Sequence, residues 1–233
     1  MPIIDFPSIE DADENGLVAI GGDLHPQSLL LAYSKGIFPW PVGPEYPLAW
    51  FSPDPRGVIK CSDMHIPRKL KKELRKQNLK VTFNKNFRDV IEICSIVHEN
   101  SDSGTWITDE IKQGYIDFHE AGHAYSIEVW NEENLVGGLY GVVIGNFISG
   151  ESMFHKETNA SKLALITLLY NLKLNDVLQL DTQMVTNITK SIGATEVKRS
   201  DFLKNVQTEI KKPKLIFENF ITDIKHLYAV KDS

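Results

Sequence analysis

A chain of 233 residues, 42% hydrophobic and 24% charged, can build a proper core, and its length favours two domains of unequal size. A net charge of -6 argues against a surface that binds polyanions everywhere, though it leaves room for a local basic patch. No segment approaches the roughly 20 apolar residues that a membrane span needs, and the opening MPIIDFPSIEDADENG lacks the basic and apolar regions of a secretion signal.

Cys61 and Cys94 are the only candidates for a disulfide, so the chain reads as cytoplasmic with both thiols reduced. Residues 16–40, GLVAIGGDLHPQSLLLAYSKGIFPW, predict a short strand, a GGD turn and a helix from Gln27 to Lys35 that starts at Pro26 and is closed by Gly36. Six prolines with Trp40, Tyr46, Trp50 and Phe51 then crowd residues 39–55 into a rigid, extended aromatic segment. The domain boundary is placed at its end, giving a small N-terminal domain over 1–55 and a larger one over 56–233. Asp54 and Arg56 in SPDPRG read as residues that pair with each other or brace the turn and do not catalyse.

From Arg68 to Lys76 the chain reads RKLKKELRK, six basic residues in nine, with Leu70 and Leu74 as an inward stripe. Arg68, Lys72, Arg75 and Lys76 fall at i, i+4, i+7 and i+8, the spacing that presents successive cations to phosphates. An ordinary solvated helix face has the same pattern. VTFNKNFRDVIEICSIVH then predicts a strand, an asparagine-capped turn and a helix, and Thr108 opens another helix that ends at Gly122. From Ala124 the period changes to two, and AYSIEVW, LVGGLYGVVIG and NFISGESMF predict an antiparallel meander. A helix from Ala160 to Leu172 and a strand from Val177 to Leu180 follow, so the order of elements points to an α/β fold with a mixed or antiparallel sheet.

Chemistry concentrates in GNFISGESMFHKETNASK (145–162) and at Asp181-Thr182-Gln183. Glu151 and Asp181 each follow an apolar strand, where a carboxylate is held at the sheet's edge, and Gln183 shares Asp181's side if the strand persists. His119-Glu120-Ala121-Gly122-His123 fits a zinc-protease pattern, but Gly122 stops the helix between the imidazoles, so the match reads as accidental and no metal is expected. Trp40 and Trp106, flanked by turn residues, are either core anchors or platforms on which single-stranded bases stack. No phosphate-binding loop, dinucleotide motif or nucleophile elbow is present.

GLVAIGGDLHPQSLLLAYSKGIFPW, AWFSPDPRGVI, GTWIT, GHAYSIEVW, LVGGLYGV, GESMF, NASK and LDTQ, in this order over nearly the whole chain, resemble the bacterial leucyl/phenylalanyl-tRNA–protein transferase family. The resemblance implies a small N-terminal domain and a C-terminal domain like the acyl-CoA N-acyltransferases, with no metal or coenzyme. It implies transfer of leucine, phenylalanine or, less well, methionine from aminoacyl-tRNA to the α-amino group of proteins beginning with arginine or lysine, which marks them for degradation by the N-degron pathway. An aminoacyl ester is already activated, and an α-amine with a pKa of roughly 7.7 to 8.0 is neutral in about a tenth of molecules at pH 7, so positioning and deprotonation are the remaining tasks.

By the same resemblance Asp181 matches the proposed base and Gln183 the amide through which it acts; whether Asp181 takes the proton or only orients Gln183 stays open. Tyr33, Trp40 and Trp106 match residues near the terminal adenosine of the tRNA, and Glu151 a carboxylate that hydrogen-bonds substrate. Met153, Leu165, Leu168 and Leu180 match the lining of the donor's apolar side-chain pocket, with Ile148 where a bulkier aromatic occurs in other members. The basic helix, with Arg68, Lys72, Arg75 and Lys76, matches a tRNA-contacting cluster. Asn187-Ile188 stand where many members carry a histidine, so any role for that imidazole is absent here. The transferase reading expects Asp181→Ala to abolish transfer with the fold intact; the alternatives are a coenzyme-dependent N-acetyltransferase, which a coenzyme A titration tests, and a non-enzymatic RNA-binding module, which would show salt-sensitive tRNA binding with no product.

Overall fold

The computed structural model describes residues 1–41, 43, 46–99 and 107–229. Its N-terminal part holds β1 (Leu17–Ile20), α1 (Pro26–Ser34), β2 (Phe38–Pro39) and β3 (Ala49–Phe51), with the three strands in an antiparallel sheet of order β1-β3-β2. Pro26 sits in the first turn of α1, where its missing N–H has no helical partner to lose. The His25 side chain caps that helix by accepting from the Gln27 N–H at 3.3 Å. Gly36, at φ +74°, ends it in the left-handed turn that a residue with Cβ adopts at a cost.

The remainder is built on one seven-stranded sheet. In chain order it comprises β4 (Arg56–Lys60), α2 (Arg68–Leu74), β5 (Leu79–Phe83), α3 (Phe87–Glu99), α4 (Asp109–Glu120), β6 (Ala124–Asn131), β7 (Asn134–Ile144), β8 (Phe147–His155), α5 (Ala160–Leu174), β9 (Gln179–Gln183), α6 (Asn187–Lys190), β10 (Ala194–Val197), α7 (Arg199–Glu209) and α8 (Lys225–Ala229). The strand order is β10-β4-β9-β8-β7-β6-β5, and every neighbouring pair is antiparallel except β8 and β9. These two run parallel because α5 carries the chain back across the sheet between them, and they touch through the single pair Ser149 and Asp181. The mixed, largely antiparallel sheet expected from the order of elements is therefore present.

Both faces of the sheet are covered, which is why β6 and β7 are buried along most of their length and not merely on alternate residues. Tyr125, Ile127, Val129, Leu139 and Val143 point to one side, where α5 contributes Leu163, Leu165, Leu168, Leu169 and Leu172. Tyr140, Val142 and Ile144 point to the other, against Leu29 of α1, Val90 and Ile91 of α3, Tyr115 and Phe118 of α4, and Phe202 of α7. That second cluster also includes Trp50 from the small sheet, so apolar packing runs from β3 to the main sheet without a break. Both cysteines are free and buried, and burial pushes each thiol up to about 12. Among the described residues no helix is long and apolar enough to cross a membrane.

Candidate active site

β8 and β9 part on either side of their one contact, and that seam brings together Glu151 from β8 with Asp181 and Gln183 from β9. Gln183 does not continue the strand conformation: its φ is +55°, uncommon for a residue with a side chain and worth roughly 1–2 kcal/mol of strain. Two contacts hold it there. Its N–H donates to Asp181 Oδ1 at 3.0 Å, and its Nε2 donates to Glu151 Oε1 at 3.0 Å. The bulge at Gly57 and Val58 in β4 lets the chain after Gln183 come close. A Cβ on Gly57 would stand 2.5 Å from the Met184 carbonyl carbon.

Asp181 is 1% exposed and fully engaged. Arg56 Nε donates to its Oδ1 at 2.8 Å and Nη2 to its Oδ2 at 2.7 Å, a bidentate pair in which neither partner meets water. The guanidinium lies between the rings of Phe38 and Phe202, with its carbon 4.8 Å and 4.4 Å from their centroids, and Nη1 donates to the Gly36 carbonyl at 3.1 Å. One side chain thus ties the end of α1, β2 and α7 to the seam. The expectation that Arg56 pairs with Asp54 is corrected: the Asp54 carboxylate accepts from the Arg199 N–H at 3.1 Å, because Arg56 enters β4 pointing into the sheet.

Glu151 is partly exposed and collects three donors. The Ser149 hydroxyl reaches Oε1 at 2.6 Å beside Gln183 Nε2, and the Tyr115 hydroxyl reaches Oε2 at 3.3 Å. The Tyr33 hydroxyl bonds that of Tyr115, extending the chain into the core. Burial pushes Glu151 from an ordinary 4.5 up to about 7, with the nearby Asp181 charge adding to the rise and the Ser149 bond opposing it. A carboxyl raised in the fold stabilises below its unfolded pKa and loses that contribution as pH climbs through the folded value. Glu151→Gln should therefore match wild type in urea near pH 4. Near pH 8 it should gain about 1–3 kcal/mol over wild type, read as a higher urea midpoint.

The other expected site residues fall into separate places. Tyr33 is fully buried with its ring stacked on Phe118, and its hydroxyl bonds that of Tyr115, which in turn reaches Glu151. Trp40 is partly buried against the cluster that contains Trp50. Trp106 lies outside the described residues. Ile148, Leu165, Leu168 and Leu180 are buried in one cluster with Met153 packed partly exposed beside them. Leu70 and Leu74 seat α2 on the α5 side of the sheet and leave Arg68, Lys72, Arg75 and Lys76 exposed. The helix stops at Leu74, so Arg75 and Lys76 extend the basic face from its last turn.

The zinc-like pentapeptide is split as the glycine suggests. α4 ends at Glu120, Gly122 takes φ +83°, and His119 stacks on Phe87 with centroids 4.2 Å apart while His123 stacks on Phe118. Sequence reasoning misses Arg56, Tyr115 and Ser149 as members of the site. An arginine heading the apolar run GVI is the available signal for the first. Ser149 lies in the stretch that points to Glu151, and Tyr115 in a helix whose pattern marks only its two ends.

A buried ion pair, an amide and a carboxylate thus gather in an α+β fold where two parallel strands separate. The pattern described as leucyl/phenylalanyl-tRNA protein transferase matches residues 58–207, and that described as the N-terminal domain of the same transferase matches residues 22–54. The leucyl/phenylalanyl-tRNA–protein transferase of Tolumonas auensis is 47% identical over 203 residues, covering 86% of each chain. That of Flavobacterium johnsoniae is 44% identical over 204 residues, 88% of this chain and 96% of its own. This chain belongs to the leucyl/phenylalanyl-tRNA protein transferase family. The structure of L-PGS from Bacillus licheniformis is a looser likeness, with a TM-score of 0.40 and 11% identity over 69% of this chain and 51% of that one.

Proposed function

We propose that the protein transfers leucine, phenylalanine or, less well, methionine from aminoacyl-tRNA to the α-amino group of proteins that begin with arginine or lysine. The observation that carries this reading is the Glu151–Gln183–Asp181–Arg56 cluster at the β8/β9 seam, present in a chain whose family is named for that transfer. The ester is already activated, so the cluster has only to hold the amine against the carbonyl and dispose of its proton. Asp181 acts by position: both of its oxygens are occupied by Arg56, and it fixes the Gln183 backbone. No metal or coenzyme takes part.

Further roles follow from this reading. Met153, Leu165, Leu168, Leu180 and Ile148 line the pocket for the donor's side chain; such a pocket separates chains that differ by one methylene by only about 1–3 kcal/mol, so several donors are accepted. Trp40 and Trp106 meet the terminal adenosine, and Arg68, Lys72, Arg75 and Lys76 meet tRNA phosphates with little regard to base sequence. Residues 1–55 form the smaller domain and 56–233 the catalytic one, and the work takes place in the cytoplasm.

The test mixes the purified chain with tRNA charged with labelled leucine and two peptides identical except for arginine or alanine at the N-terminus. Label should enter the arginine peptide alone. Label in neither peptide, with tRNA still bound, would refute the transfer reading.

A further inference from the structure

We propose that Glu151 accepts the proton of the incoming α-amine, while Gln183 orients that amine and the Arg56–Asp181 pair holds Gln183 in place. This deepens the reading of the reaction given above and rests on it. An ammonium must lose a proton before its lone pair can attack an ester carbonyl, and three side chains at the seam compete for that proton.

Asp181 is the first, and its geometry disqualifies it. Its Oδ1 already accepts from Arg56 Nε and the Gln183 N–H, and its Oδ2 from Arg56 Nη2, all at 1% exposure. Protonating it would strand a buried guanidinium without its counter-charge. Gln183 is the second. Its Nε2 is committed to Glu151, which leaves Oε1 to receive an amine N–H, but an amide oxygen is an acceptor of hydrogen bonds and far too weak a base to hold a proton near neutrality.

Glu151 remains, and its surroundings suit the task. It is partly exposed at the seam, and its Oε2 receives a 3.3 Å bond from the Tyr115 hydroxyl. The titratable and charged groups that face it are Tyr33 from α1, Tyr115 from α4, Tyr125 from β6, Tyr140 from β7, Asp181 from β9 and Arg56 from β4. Burial dominates the balance and brings the carboxyl to about 7, close to an amine of roughly 7.7 to 8.0.

The step balances without a co-reactant. The N–H bond breaks with its electron pair left on nitrogen, and the proton forms an O–H bond on Glu151. The nitrogen pair then forms the C–N bond, the C–O bond to ribose breaks with its pair on the ribose oxygen, and that oxygen takes the second proton from nitrogen. Glu151 returns its proton to water.

The experiment measures transfer of leucine from charged tRNA to an arginine peptide from pH 6 to pH 9, separating kcat from the peptide KM, for wild type, Glu151→Gln and Asp181→Asn. Glu151→Gln should lose about 100-fold in kcat at pH 7 and recover to within about tenfold of wild type at pH 9, where the amine arrives neutral, with KM changed by less than about threefold. Asp181→Asn should show a deficit that does not vary with pH. A deficit of Glu151→Gln that is equal at pH 7 and pH 9, or a variant within about threefold of wild type at pH 7, would overturn the assignment.

A second measurement needs no variant. Wild type at pH 7 is given a peptide whose α-amine pKa is lowered by an electronegative substituent. If Glu151 takes the proton, the rate should change by less than about threefold; a rate that rises in proportion to the neutral amine would overturn the proposal. A wild type that forms no product at all would instead remove the transferase reading itself.

Discussion

Arg56→Met is expected to destabilise the protein by about 3–5 kcal/mol, whereas Arg56→Met combined with Asp181→Leu should recover most of that loss. The asymmetry follows from burial. Neither member of the pair meets water, so removing the guanidinium leaves a carboxylate with no solvent and no counter-charge, and that penalty exceeds what the intact pair contributes over an apolar replacement. Packing adds to the effect, because the guanidinium fills the space between Phe38 and Phe202 and satisfies the Gly36 carbonyl. Urea unfolding followed by tryptophan fluorescence gives both numbers, and a single variant as stable as wild type would mean that water reaches the pair. The double variant should stay inactive in transfer, since a folded seam without Asp181 no longer holds the Gln183 N–H.

The pair also changes what Asp181→Ala can report. The sequence alone suggests a variant that keeps its fold and loses transfer. Taking away the carboxylate strands Arg56 in the core, so stability and activity should fall together. Asp181→Asn keeps the shape of the side chain but also removes the counter-charge of Arg56, so it too should lose stability, by less than the alanine variant because no cavity opens.

Gly141→Ala is expected to cost about 3 kcal/mol or more and to abolish measurable transfer. Gly141 of β7 faces Gly150 of β8 beside a bulge, and the two backbones come so close that an added Cβ would collide with the Ser149 carbonyl oxygen and stand 2.7 Å from the Tyr125 hydroxyl. Neither obstacle is the far end of a flexible chain. The Ser149 carbonyl accepts from that same Tyr125 hydroxyl at 2.9 Å, so relief requires β8 itself to move. Ser149 and Glu151 would move with it, out of register with Asp181 and Gln183. Thermal unfolding and the leucine transfer assay check the two halves of the expectation, and an alanine variant with an unchanged melting temperature would show that the strands have slack at this point.

Much of this architecture is legible in the order of residues. The Gly36 stop, the Thr108 cap, the change to period two at Ala124 and the apolar face of residues 160–172 each have a local cause that a sequence displays. The basic helix is legible for the same reason, since Leu70 and Leu74 mark its inner stripe. Less legible are β4 and β10, whose short runs RGVIK and ATEV carry little periodicity and exist as strands because β9 and β4 offer edges to pair with.

The longer elements, the family and the candidates Glu151, Asp181 and Gln183 could be read from the order of residues, because helix caps, turn glycines and ordered motifs are local properties of the chain. Which side chains pair with which is settled by the packing of distant segments. Arg56 and Asp181 are 125 residues apart, and Tyr115 and Glu151 are 36 apart. Nothing local distinguishes Asp54 from Asp181 as the partner of Arg56. The choice is made by sheet order, which sets β4 beside β9 and turns the guanidinium inward, and by the exclusion of water, which makes that one pairing obligatory.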